Sequence, residues 1–153
     1  MFLKSQQMLA VTGGASAPGT PLSQAAVDGS PSQDFSFEDA GDGFVRIRSH
    51  TGNRYLSVDE SNADLTVRQD VAYPPVAGNT GARPALQRFK ITRVGISHLT
   101  QDHYVISSEA YPDLELQPAT ATAPGSPIIL GQRGFPGQAG PPTAWRISNP
   151  LLH

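Results

Sequence analysis

Apolar and polar residues alternate along this chain with a period of two. Phe44-Val45-Arg46-Ile47-Arg48-Ser49, Tyr55-Leu56-Ser57-Val58 and Asp64-Leu65-Thr66-Val67-Arg68 all follow the pattern. Phe89-Lys90-Ile91-Thr92-Arg93-Val94 does so too, as do Leu114-Glu115-Leu116 and Trp145-Arg146-Ile147. Successive side chains on a strand point to opposite faces, so each run predicts a short strand with one buried face. Thr51-Gly52-Asn53, Glu60-Ser61-Asn62, Tyr111-Pro112-Asp113 and Ala123-Pro124-Gly125 separate the runs with residues that favour turns. Short strands at regular spacing predict an all-β sandwich or barrel.

Internal repetition decides between the two. Gln33-Asp34-Phe35-Ser36-Phe37 and Gln87-Arg88-Phe89-Lys90-Ile91 share a Gln-x-aromatic-x-apolar pattern, and Thr143-Ala144-Trp145-Arg146-Ile147 keeps its aromatic and apolar positions. Phe35, Phe89 and Trp145 are almost evenly spaced. Met8-Leu9-Ala10-Val11, Tyr55-Leu56-Ser57-Val58 and Asp113-Leu114-Glu115-Leu116 match one another, and Phe44 to Ser49 matches Tyr104 to Ser108. Ala17-Pro18-Gly19-Thr20-Pro21-Leu22 recurs as Ala123-Pro124-Gly125-Ser126-Pro127-Ile128. One domain over residues 1–153 is expected, with twelve short strands in three pseudo-symmetric four-strand repeats at about 1–41, 42–101 and 102–153. No such unit buries its apolar face alone, but three together close a barrel. The three spaced rings are expected buried in one layer of it. Buried amides must find partners, so Gln33 and Gln87 are expected to hold backbone within their own repeats.

Composition narrows the function. Gly 15 and Pro 14 in 153 residues leave little room for long helices. Charged residues make up 16%, so much of the surface must be neutral hydrogen-bonding groups, which suit neutral polar ligands. The net charge is −2, and Arg46, Arg48, Arg88, Lys90 and Arg93 interleave with apolar residues. Such alternation makes a solvated face rather than a phosphate track, so no nucleic acid is expected as a partner. The absence of cysteine excludes disulfides and thiolate zinc sites and fits a reducing compartment. Lys4, Ser5, Gln6 and Gln7 interrupt the apolar N-terminus, which predicts a cytoplasmic protein or one secreted without a recognisable signal peptide. No apolar run approaches the ~18 residues that span a bilayer, so no membrane insertion is expected.

Candidate chemistry is sparse. His50, His98, His103 and His153 show no paired spacing, so neither metal nor cofactor is expected. No Gly-x-Ser-x-Gly elbow occurs, and no enzyme is expected. Glu109, Asp113 and Glu115 lie close enough to leave a glycosidase-type carboxylate pair as the one catalytic option.

Gln33-Asp34-Phe35 and Gln87-Arg88-Phe89 resemble the Gln-x-Trp signature of the ricin B-type (R-type) lectins, with Phe for Trp. Thr143-Ala144-Trp145 keeps the Trp and lacks the Gln. The stretch from Val45 to Val58 is similar to that family's opening strand pair. The resemblance implies a β-trefoil fold and a non-catalytic carbohydrate-binding lectin whose partners are glycans or glycoproteins. In that family an Asp within the Leu-x-Val motif binds sugar hydroxyls. The matching residues here are Ala10, Ser57 and Glu115, so the third repeat alone keeps a carboxylate. Fungal β-trefoil lectins, and protease inhibitors of the mycocypin and cospin kind, are similar in size, Pro-rich loops and lack of cysteine. That likeness implies an alternative, an inhibitor acting on a protease through an exposed rigid loop.

Sugar recognition needs a flat apolar face together with a carboxylate or amide. The third repeat offers Glu115, Gln132, Phe135 and Gln138, and the second offers Asp70, Tyr73 and Asn79 on one long loop. Glycans are thus expected at shallow loop sites. The segments from Tyr73 to Pro84 and from Gly134 to Pro142 read as exposed loops stiffened by proline, which would serve an inhibitor equally well. A homodimer is left open.

Overall fold

The computed structural model describes residues 2–3, 8–26, 28–61, 65–73, 84–94, 103–119, 125–132 and 145–146. These form strands β1 (Phe2–Leu3), β2 (Met8–Val11), β3 (Leu22–Ala25), β4 (Phe35–Gly41), β5 (Phe44–Ser49) and β6 (Tyr55–Asp59). They continue as β7 (Thr66–Asp70), β8 (Phe89–Val94), β9 (His103–Ser108), β10 (Leu114–Pro118), β11 (Ile128–Gln132) and β12 (Trp145–Arg146). The protein is all-β, as its period-two pattern requires.

The pairing path β4-β5-β8-β9-β12-β1 makes a curved wall, antiparallel throughout. Hairpins β2–β3, β6–β7 and β10–β11 hang from it. Their registers agree rung for rung: Leu9 faces Gln24, Leu56 faces Gln69 and Leu116 faces Leu130. The hairpins also close on one another in a ring of backbone bonds. The amide of Gln69 donates to Thr20 at 2.8 Å, that of Gln24 to Ser126 at 3.0 Å, and that of Leu130 to Leu65 at 3.0 Å.

The core lies between wall and hairpins. Leu9, Leu22, Ile47, Leu56, Val67, Phe89, Ile106, Leu116, Ile128 and Trp145 are completely buried. The indole Nε1 of Trp145 donates to the Leu116 carbonyl at 2.9 Å, so this polar atom is satisfied inside the core. Phe35 differs from the expectation of three buried rings. It packs against the core but is only half-buried, on a strand that pairs with β5 alone among the described strands.

The Gln of each Gln-x-Phe pair ends a 3-10 turn, at Pro31–Gln33 and Pro84–Gln87. Gln33 Nε2 donates to the Ala26 carbonyl at 2.6 Å and its Oε1 accepts from Asp28 N–H at 3.1 Å. Gln87 Nε2 donates to the Val71 carbonyl at 2.7 Å and its Oε1 accepts from Tyr73 N–H at 2.8 Å. Both amides hold the chain that precedes their turn, as expected. Of the segment from Tyr73 to Pro84, residues 74–83 lie outside the described residues, and Pro84 opens the second turn.

Candidate functional site

Two equivalent rungs cross the outer face of the molecule. Ser36, Arg48, Tyr55 and Asp70 align across β4, β5, β6 and β7. Lys90, Ser107, Glu115 and Gly131 align across β8, β9, β10 and β11. In the first rung the two central positions carry the large side chains of Arg48 and Tyr55. In the second, Ser107 stands where Arg48 does, and the sheet face is left hollow. Gly131, in the place of Asp70, makes room for the buried Gln117 amide, whose Nε2 lies 1.5 Å from where a Cβ would sit.

The hollow is a cleft of about 540 Å³ lined by Phe44, Lys90, Thr92, Ser107, Glu109, Asp113 and Glu115, among others. Glu115, only 5% exposed, reaches it from β10, and Asp113 reaches it from the exposed turn before that strand. Glu109 is already committed to the guanidinium of Arg88, bonding through Arg88 Nε. The same guanidinium donates to the carbonyls of Ala40 at 2.7 Å and Gly41 at 3.2 Å, and lies 5.0 Å from the centre of the Phe44 ring. Arg88 therefore fixes both an acidic group and an apolar ring at the rim. Carboxylates accept paired hydroxyl bonds, Lys90 donates, and Phe44 offers an apolar surface, which is the set of groups a polyol requires.

The sequence-predicted residues fall in different places. Glu115 lies in the cleft. Gln132 ends β11, exposed, opposite Leu114 and outside the cleft lining. Asp70 closes a strand rather than standing on a loop, and Tyr73 is folded back onto it, its hydroxyl donating to Asp70 Oδ2 at 2.7 Å. Asp70 also accepts from Val71 N–H at 2.8 Å and faces Arg68 at 3.4 Å, while Arg68 faces Asp59 at 3.4 Å. Burial, and then the bond to Asp70, raises the pKa of Tyr73. The bond to Tyr73 raises that of Arg68, and hydrogen bonds from Ser61 lower that of Asp59. Asp70 and Tyr73 are thus brought together but satisfy one another. Asn79, Phe135 and Gln138 lie outside the described residues.

One expected alignment is corrected by the register. Counted from the shared rungs, Gln117 rather than Glu115 stands in line with Ala10 and Ser57. The chain between the paired residues Ser107 and Glu115 is one residue longer than that between Arg48 and Tyr55, so Glu115 falls level with Tyr55. Ser57 itself is fully buried, its hydroxyl accepting from Gln87 Nε2 at 2.8 Å and donating to the Tyr55 carbonyl at 3.2 Å. The protein's own amide occupies that position. Sequence reasoning missed Phe44, Lys90 and Ser107. The alternation of Phe89-Lys90-Ile91-Thr92 did place Lys90 on the outer face, but nothing in one strand shows that Ser107 leaves the next one hollow.

Residues 2–70 match the family model described as ricin-type beta-trefoil lectin domain-like. No curated protein matches the chain. Among solved structures, the designed three-fold symmetric protein ThreeFoil is 18% identical with a TM-score of 0.72, over 93% of this chain and 90% of its own. The ricin B-like lectin of Macrolepiota procera, solved in complex with lactose, is 15% identical with a TM-score of 0.66, over 96% of this chain and 90% of its own. An exo-beta-1,3-galactanase from Clostridium thermocellum is 24% identical with a TM-score of 0.73, over 95% of this chain but only 28% of its own. The resemblance to ricin-type lectins read from the Gln-x-Phe pairs stands, and the chain is an all-β protein with β-trefoil-like neighbours.

Proposed function

We propose that the chain is a β-trefoil of three four-strand units, β1–β4, β5–β8 and β9–β12, and that it serves as a non-catalytic carbohydrate-binding module. The ring of bonds from Gln69 to Thr20, Gln24 to Ser126 and Leu130 to Leu65 supports the three units, since each hairpin receives the same bond from a neighbour. The match to ricin-type lectins supports carbohydrate as the ligand class.

The observation that carries the reading is the hollow third-unit rung, where Glu115 and Asp113 border a cleft rimmed by Phe44. The cleft offers acceptors for neighbouring hydroxyls and an apolar surface for the C–H side of a sugar ring. Glu109 is held by Arg88, which favours binding over the work of a catalytic carboxylate pair. The partners are then glycans or glycoproteins, met in the cytoplasm or outside the cell. Gln132, which lies outside the cleft lining, is proposed with Phe135 and Gln138 as a further source of amide and ring for the third unit. Asp70, Tyr73 and Asn79 mark a weaker second-unit site. A glycan array with the full chain tests this: binding to a related set of glycans is expected, and no binding to any glycan would sink it.

A further inference from the structure

Arg88 also borders a second cavity, of about 210 Å³, lined by Ala40, Arg46, Tyr73, Pro84, Gln87 and Arg88. Two of those six residues are guanidinium-bearing and none is acidic. Arg88 has its counter-charge in Glu109, with Asp42 at 4.0 Å. Arg46 has no carboxylate within ion-pair distance among the described residues. Its guanidinium carbon lies 5.1 Å from the centre of the Tyr55 ring. The acid across the strand from it, Glu38, accepts the Tyr55 hydroxyl on both oxygens, at 2.9 and 3.0 Å. Asp70, near Tyr73, is bonded to the Tyr73 hydroxyl and faces Arg68.

We propose that this cavity receives the anionic group of an acidic sugar, a uronate carboxylate or a sulfate ester, with Arg46 as its binding residue and Arg88 as a second positive wall. A guanidinium presents planar, parallel donors that match two oxygens of a carboxylate or sulfate. Stacking on Tyr55 holds the Arg46 plane in place, so little freedom is lost when the anion arrives. The cavity is smaller than the roughly 300–1,000 Å³ that encloses a whole drug-sized ligand, so it suits one charged group of a larger glycan. The site is separate from the Glu115 cleft and stands whether or not that cleft binds.

Isothermal titration of the full chain with glucuronate, glucose and inorganic sulfate, at constant ionic strength, tests it. Glucuronate is expected to bind at least about tenfold more tightly than glucose. Arg46→Gln should abolish that preference and Arg46→Lys should keep part of it, since a point charge remains but the fork is lost. Glu115→Gln should keep it whole. Circular dichroism melting of each variant separates lost binding from lost folding. Equal affinity for glucose and glucuronate, or full glucuronate affinity in a folded Arg46→Gln protein, would overturn the proposal. Sulfate that competes with glucuronate at equal affinity would overturn the sugar half of it, leaving an oxyanion site only.

Discussion

Arg88 and Glu109 are joined twice. The guanidinium Nε bonds the Glu109 carboxylate, and the Glu109 backbone N–H donates to the Arg88 carbonyl at 2.9 Å. The same guanidinium reaches the carbonyls of Ala40 and Gly41 at the end of β4, so a single side chain ties the rim of the cleft to two separate segments.

The two ends of this contact should respond unequally to mutation. The Arg88 and Glu109 side chains are 23% and 34% exposed, and ion pairs this open contribute at most about 1 kcal/mol. Glu109→Gln, which keeps an acceptor, should cost less than about 1 kcal/mol. Arg88→Ala strips donors from the Ala40 and Gly41 carbonyls and removes the cover from Phe44, and should cost about 2 kcal/mol. Urea midpoints compare them; equal losses in the two variants would show that the carboxylate is the only contact of consequence.

Gln87→Ala should destabilise by about 2–3 kcal/mol. The substitution leaves the Ser57 hydroxyl, the Val71 carbonyl and the Tyr73 N–H without the partner each has now, and unmet buried polar groups carry the full desolvation cost. Removing Ser57 as well should cost little more, because the two residues share one bond. Strictly additive losses in that double-mutant cycle would disprove the coupling.

Phe89→Ala should cost about 3–5 kcal/mol and Phe35→Ala distinctly less. Phe89 is completely buried, while Phe35 is half-buried on a strand that pairs with β5 alone among the described strands. Equal midpoints for the two variants would mean that Phe35 contributes to the core as fully as Phe89.

These cases mark how far the sequence could be read. Alternation at Phe44 to Ser49 and Phe89 to Val94 names strands because period two has one structural meaning. The Gln-x-Phe pairs name their own hydrogen bonds, since a buried amide beside a turn has few other choices. Period two is also where legibility stops. A slip of two residues keeps every side chain on its face, so Leu114-Glu115-Leu116 looks equivalent to Leu56-Ser57-Val58 although the register aligns Leu116 with Leu56. The hollow at Ser107 arises from a comparison of two rungs, each assembled from four strands. The mutual bond of Asp70 and Tyr73 depends on how the chain turns after β7.

Alkaline pH should weaken the fold through two tyrosines. Burial, and then the bond to Glu38, raises the pKa of Tyr55, as burial and Asp70 do for Tyr73. A group with a raised folded pKa contributes stability that is whole below the unfolded value, about 10 for tyrosine, and is lost as pH rises through the folded value. Of the 4 tyrosines, Tyr55 and Tyr73 should therefore titrate late in absorbance. Tyr55→Phe should remove one late step and flatten the loss of stability above about pH 10. A single tyrosine transition near the ordinary value, unchanged in that variant, would refute the assignment.

Glu115→Gln should weaken glycan binding by about tenfold while leaving the fold intact. The residue is 5% exposed, and its side chain borders the cleft beside Ser107 and Asp113. Gln has the same shape, so the cleft keeps its form, but an amide oxygen accepts a hydroxyl bond without the assistance of charge. The difference between a charged and a neutral bond is about 1.4 kcal/mol, which is tenfold in affinity. Asp113→Asn should cost less, because its exposed carboxylate is solvated before the sugar arrives. Glu109→Gln should cost least, because Arg88 already holds that group. This order separates a ligand-binding Glu115 from one that merely supports β10, since a supporting role would lower the melting midpoint and leave glycan affinity alone. If all three variants bind the array glycans as the parent does, the cleft is not the site, and the sugar must be sought at Asp70 and Tyr73 or at Phe135 and Gln138.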